Sequence, residues 1–220
     1  MAIYSQGILG GFSGKVGNIV GSSWKGTNVM KIRPSSVTNP NTEKQQNQRL
    51  RFALVGRFLQ AHRNLVNIGF NAYKPGMSAT NAAMSYNLSN AITGEFPGLS
   101  IDFSKVQLSR GSLNLLTQAL VTAPEPSAVL INWSDNSGIM NALASDQLSV
   151  GLFDSESGES VYFINCASRA DASISLNTPV EWTGRKVETL AFFSTGTNLI
   201  MNTKRQSVSN TQWLGSVVLV

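Results

Sequence analysis

Cysteine occurs once in this 220-residue chain, at Cys166, and histidine once, at His62. A single thiol excludes an intrachain disulfide and any cluster of thiolate metal ligands. Charge is scarce too: Asp, Glu, Lys and Arg make up 13% of the residues, about half the usual share of a soluble domain. Ser, Thr, Asn and Gln fill the gap and give a neutral polar surface whose weak self-repulsion favours association. No stretch reaches the ~18 apolar residues of a membrane helix, so no membrane insertion is expected. The opening residues MAIYSQGILGG lack the basic region and long apolar run of a secretory signal, so the expectation is cytoplasmic synthesis. A chain of this length buries roughly 70% of its unfolded surface, so it needs no metal or disulfide for stability. No cofactor is expected.

The charge that is present is unevenly placed. Residues 1–105 hold 11 Lys and Arg against 3 Asp and Glu, net +8; residues 106–220 hold 6 against 9, net −3. Such a polarity suits phosphate binding by the basic half, or contact between copies, basic end to acidic end.

Glycine is concentrated at the start, in GILGGFSGKVGNIVG at residues 7–21. Gly14-Lys15 invites comparison with a phosphate-binding loop, but Leu9 stands where that loop needs its first glycine. Val16 stands where it needs a hydroxyl, and Asn18-Ile-Val-Gly21 is a poor helix start. The reading that remains is steric: glycine lets a strand lie against another backbone or an aromatic ring. Lys15–Val20 and Asn28–Arg33 read as short strands around a turn at 22–27, with Val29, Lys31 and Arg33 on one face and Met30 and Ile32 on the other.

A long helix follows. Thr38 or Asn39 can cap it, with Pro40 at its first position. Leu50, Leu54, Phe58, Ala61 and Leu65, with Val55, Leu59, His62 and Val66, recur at helical spacing and give one apolar stripe, and Gly69 is a plausible stop. Residues 78–92 read as a second helix capped by Ser78, with Ala82 and Ala83 packing closely. From about 106 the texture becomes short runs between turns, with strands near 106–110, 116–122, 128–134, 147–153, 159–165, 172–176, 186–194 and 211–219. That spacing is the pattern of an antiparallel sandwich. The expected fold is therefore α+β: residues 1–105 a basic arm and helical region, residues 106–220 a β-sandwich. AVLINWSDNSG, with Trp133, and KVETLAFFST look like parts of a fibronectin type III or immunoglobulin-like module without a disulfide.

Catalytic chemistry finds little footing. His62 lies on the helix stripe and reads as a core-edge histidine with both ring nitrogens satisfied. Cys166 reads as a buried, inert thiol. Asp135, Asp154, Glu156 and Glu159 fall in expected turns, at a spacing that fits no EF-hand loop. No catalytic or metal-binding residue is assigned and an enzyme is the least favoured class.

Trp24-Lys25-Gly26 places a large aromatic in an expected turn, a natural partner anchor. Phe12, Trp24, Phe52, Phe58 and Phe70, interleaved with Lys15, Lys25, Lys31, Arg33, Arg49, Arg51 and Arg57, fit either core packing or a stacking and phosphate surface for single-stranded nucleic acid. Trp182 and Trp213 are candidates for a carbohydrate-binding or cell-surface module.

Together, GILGGFSGKVGNIVGSSWKG, NPNTEKQQNQRLRF, MSATNAAMSYNL and QLSRGSL resemble an uncharacterised family of about 200 residues found in Bacteroidota and their mobile elements. The resemblance implies no activity and no site residues. Its layout looks like that of phage virion and tail subunits. The resulting expectation is a non-enzymatic structural subunit, self-associating or docked in a virion, tail or filament. Its assembly arm would use Gly10, Gly11, Phe12, Gly14, Lys15, Gly17, Trp24 and Lys25, adding strands to a sheet edge. Arg33, Arg49, Arg51 and Arg57 are the candidate contacts for nucleic acid or an acidic partner.

Overall fold

The computed structural model describes residues 3–4, 11–24, 26–36, 39–71, 76–195 and 207–220; Gly10, Lys25 and Thr38 lie outside the described residues. The chain forms two compact units, residues 1–43 and 44–220. The helices therefore share a unit with the sandwich strands, not with the glycine-rich arm.

The first unit is an antiparallel meander of β1 (Ile3–Tyr4), β2 (Phe12–Val16), β3 (Ile19–Trp24) and β4 (Thr27–Ile32), in that spatial order. The strand expected over Lys15–Val20 is a hairpin instead. Val16 pairs with Ile19 around Gly17 and Asn18, and Gly17 takes φ +57°, the left-handed conformation of a two-residue hairpin turn. Ser22–Trp24, expected in a turn, continue β3 until Trp24 pairs with Thr27. Gly14-Lys15 sit within β2, far from the strand-to-helix turn of a phosphate loop. A Cβ on Gly21 would come within 2.7 Å of the Phe12 ring, so here glycine does admit an aromatic ring against a strand.

In the second unit, α1 (Glu43–Ala61) and α2 (Arg63–Gly69) replace the single expected helix. The helix starts later than expected: Asn41 takes φ +51°, outside helical space, so Asn39 and Pro40 are not its cap and first residue. α3 (Ala79–Asn90) starts as expected, the Ser78 hydroxyl accepting from the Asn81 backbone N–H. A small hairpin, β5 (Ile92–Thr93) and β6 (Ser100–Ile101), follows.

The sandwich strands are β7 (Thr117–Thr122), β8 (Ala128–Ser134), β9 (Gln147–Asp154), β10 (Ser160–Ser168), β11 (Ser173–Asn177), β12 (Lys186–Ser194) and β13 (Gln212–Val218). They form antiparallel sheets β10-β9-β12-β13 and β11-β8-β7, and seven of the eight expected strands are present. The eighth, 106–110, is not a strand. The Thr211 hydroxyl accepts from the backbone N–H groups of both Leu108 and Ser109, each at 2.8 Å, using donors a ladder would need.

Between the sheets lies a core that includes Trp133, Leu148, Val150, Leu152, Ala191 and Phe193. A second core joins Val55, Phe58 and Leu59 of α1 and Leu65 and Val66 of α2 to Phe153, Leu190 and Phe192. Alternate residues of β9 and β12 thus serve opposite faces, and the unit has three layers: helices, four-stranded sheet, three-stranded sheet. Continuous apolar runs in β9 and β12 match this double burial. Gly151 is required on the helical side, because a Cβ there would lie 2.8 Å from Cδ2 of His62.

Candidate functional site

The register of the N-terminal sheet sorts its side chains. Val16 pairs with Ile19 and Ile19 with Ile32; Gly14 pairs with Gly21 and Gly21 with Met30. These residues, with Phe12, share one face. The opposite face carries Lys15, Val20 and Lys31 in one cross-strand row, with Ser22, Val29 and Trp24. One face is therefore an apolar strip and the other is basic and mixed.

The apolar strip is open. Met30 is 65% and Ile32 78% exposed, Val16 and Ile19 are exposed as well, and so are Val29 and Trp24 on the opposite face. Among the described residues of this unit only Gly21 is buried. Three or more strands become stable by burying one apolar face, and among the described residues this sheet leaves Val16, Ile19, Met30 and Ile32 exposed. Of the expected arm residues, Gly11 precedes β2, Phe12, Gly14 and Gly17 lie on β2 and its turn, Lys15 and Trp24 point to the mixed face, and Gly10 and Lys25 fall outside the described residues. The sequence reading missed Val16, Ile19, Met30 and Ile32 as a joint surface. Their signal was strand alternation, obscured because the Gly17-Asn18 turn was read as strand.

The expected basic contacts do not form one row. Arg33 follows β4 in the first unit, its backbone N–H donating to Asn18 O at 2.8 Å. Arg49, Arg51 and Arg57 lie on α1. At about 100° per residue, Arg49 and Arg57 sit about 80° apart around the axis, whereas Arg51 points well away from both. Arg51 instead donates to Leu88 O of α3 at 3.1 Å.

The groups weighed for chemistry are held by the fold. His62 is fully buried between α1 and α2. Its Nδ1 lies 3.0 Å from Phe58 O, but Nε2 has no partner among the described residues, which corrects the expectation of two satisfied nitrogens. Burial, only partly offset by the Phe58 carbonyl, lowers its pKa to about 4. Cys166 is half-buried, donates to Leu148 O at 3.3 Å, and burial pushes its thiol up to about 11. Asp154 is not a solvated turn residue. It is buried and meets Arg185 at 2.8 Å. Burial alone would raise its carboxyl; Arg185, the Ser157 hydroxyl and the Glu156 backbone N–H outweigh this and hold it below the usual range. Trp182, expected at the surface, is buried and donates to Glu159 at 3.2 Å; Trp213 is exposed and donates to Glu188 at 2.8 Å. Among the described residues no three His, Cys, Asp or Glu side chains gather as metal ligands, and no helix is long and apolar enough to cross a membrane.

The least expected buried group is Arg169. Its guanidinium donates to Asp146 Oδ2 through Nε at 3.1 Å and Nη2 at 3.0 Å, to Asn136 Oδ1 at 2.6 Å and to Asn114 O at 3.1 Å. It also stacks 3.8 Å above the Phe193 ring. The group ties three stretches distant in sequence to one point at the edge of the sandwich core.

Residues 11–209 match the profile of a family of unknown function, DUF6266. The chain belongs to this family. The DUF6266 match begins at the start of β2 and ends just before β13, so it takes in residues of both units. No curated protein matches the chain. Among solved structures, the fn3 domain of the human collagen alpha-1(XX) chain is similar at 15% identity, covering 50% of this chain and 87% of that one, with a TM-score of 0.30.

Proposed function

We propose that this DUF6266 protein is a non-enzymatic structural subunit that assembles through its N-terminal sheet. The observation that carries the reading is the open apolar strip of Val16, Ile19, Met30 and Ile32 on a unit that buries only Gly21 among its described residues. Contiguous apolar surface of this kind marks contact sites, and a sheet with no core of its own gains stability when a partner covers it. The low charge content supports association. β4 is one of the sheet's two outer strands, exposed along its whole length, and an open strand offers its backbone groups for pairing. The rigid three-layer unit is the body that such contacts hold in place, in a virion, a tail or a filament.

The test is the mass of the full chain in solution, measured by light scattering beside a Met30→Asp/Ile32→Asp variant. The wild type should form a defined oligomer and the variant should be reduced in mass. A wild type that is monomeric at every accessible concentration and salt, or a variant that assembles unchanged, removes the proposal. Electron microscopy of the assembled wild type then separates closed particles from filaments.

A further inference from the structure

Charge divides sharply between the two units. Residues 1–42 carry Lys15, Lys25, Lys31 and Arg33 and no Asp or Glu; the first acid is Glu43, at the start of α1. Residues 44–220 mix 13 Lys and Arg with 11 Asp and Glu. The N-terminal sheet therefore projects a field of one sign, with no carboxylate of its own strands to quench it. Lys25 lies outside the described residues. The other three cations are exposed, and among the described residues none of them stands in an ion pair.

The sheet sorts these cations onto the face opposite the apolar strip. Lys15, Val20 and Lys31 form one cross-strand row. Arg33 donates its backbone N–H to Asn18 O at 2.8 Å, so the ladder runs one pair beyond Ile19 and Ile32. Alternation then brings Arg33 to the same face as Lys31. At about 4.8 Å between strands and about 3.4 Å per residue along one, the backbone at Lys31 lies about 10 Å from Lys15 and about 7 Å from Arg33. Trp24 is 57% exposed on this face, two rows along from Lys31, with exposed Val29 in the row between.

We infer that this face binds single-stranded nucleic acid, with Lys15, Lys31 and Arg33 on its phosphates and Trp24 stacked on a base. Charge complementarity selects a polyanion, because neighbouring cations with no acid among them meet a chain of phosphates without a repulsive contact. The exposed indole selects unpaired bases, whose ring faces are open to stacking, over a duplex, whose bases stack on one another. A sheet face carrying aromatic side chains is a known platform for single strands, and a cationic surface that tracks the backbone completes it. Val16, Ile19, Met30 and Ile32 lie on the other face, so this one gives a bilayer little to insert. Because the two faces are distinct, the inference does not rest on the assembly reading and can fail without it.

The test titrates the full chain into a fluorescently labelled oligothymidylate of about 20 nucleotides and follows anisotropy between about 50 and about 200 mM salt. Three phosphate contacts predict a slope of about −2 in log K against log salt. Lys15→Gln/Lys31→Gln/Arg33→Gln should weaken binding at least about tenfold at the lower salt and flatten that slope. Trp24→Ala should weaken it about fivefold or more with the slope unchanged, as the loss of one stacked base does. Lys44→Gln/Arg57→Gln/Arg63→Gln removes the same charge from exposed positions of α1 and α2 and should stay within about twofold of the wild type. Thermal unfolding and light-scattering mass equal to those of the wild type establish that each variant is folded and associates as before. Absence of binding at the lower salt overturns the inference, as does an equal loss in the α1 and α2 variant. A duplex of the same length bound as tightly, or a Trp24→Ala variant that binds unchanged, overturns it too. Binding to vesicles containing phosphatidylserine in place of the oligonucleotide assigns the face to a membrane and overturns it. Affinity that falls only together with mass ties the loss to association and likewise overturns it. In each of these cases, a mass that still falls with Met30→Asp/Ile32→Asp leaves the assembly proposal standing.

Discussion

β4 and β12 show how differently two strands of this chain are used. β4 is six residues long and every one is exposed; β12 is nine residues long and eight are buried. β12 lies between β9 and β13, under helices on one face and facing the three-stranded sheet across the other. β4 lies at an edge, with Met30 and Ile32 open on one face and Val29 and Lys31 on the other. Both sequences carry the apolar residues of a strand, so composition does not make the difference. One strand has received its packing partners within its own unit. The other has not, among the described residues.

The sharpest way to break this contrast is to disturb the buried ion pair. Arg169→Ala leaves Asp146 buried without its counter-charge, which should cost about 3–5 kcal/mol in urea unfolding of the full chain. It should also loosen the 135–146 loop. A cavity is next: Leu152→Ala, between the two sheets, should cost about 2–5 kcal/mol, whereas Ile32→Ala should stay within about 0.5 kcal/mol in the dilute chain. Equal losses for the two would erase the distinction between the units.

Acid should act on the three-layer unit through His62. Its folded pKa of about 4 lies below the 6.5 of the unfolded chain, so the unfolded state takes up the proton first. The stabilising contribution is complete above about pH 6.5 and falls away towards pH 4, amounting to about 3 kcal/mol. His62→Gln should flatten that part of the stability–pH curve, read by urea midpoints from pH 4 to 7. A slope unchanged in the variant would assign the acid sensitivity elsewhere. Cys166, with its thiol raised to about 11, should react with a disulfide reagent at pH 8 far more slowly in the folded chain than in urea. Arg51→Ala removes one hydrogen bond to Leu88 O and should cost about 1 kcal/mol, less than the cavity and more than Ile32→Ala.

The sandwich was the legible part of the sequence. Turns such as Asp135–Gly138 and Asp154–Gly158 separate runs short enough to be strands, and the strands from Ala128 to Val218 fall close to where alternation and turn residues placed them. The helical layer was half legible. The stripe from Val55 to Val66 marked a buried face, but nothing local marks the break at His62, whose ring lies close to Gly151. The cluster around Arg169 was illegible because its partners lie 23, 33 and 55 residues away. At the N-terminus the glycine string drew attention to the right segment for a partly different reason. Gly21 admits the Phe12 ring as expected, but the exposed surface is made by Val16, Ile19, Met30 and Ile32, which show as one face only once the strands are in register.

The central claim, that the N-terminal sheet is completed by a partner, is tested most directly by hydrogen–deuterium exchange of the full chain at low and high protein concentration. The account predicts that amides of residues 12–32 become protected as concentration rises, while those of 147–154 and 186–194 are protected equally throughout. Protection of residues 12–32 that is independent of concentration would contradict it.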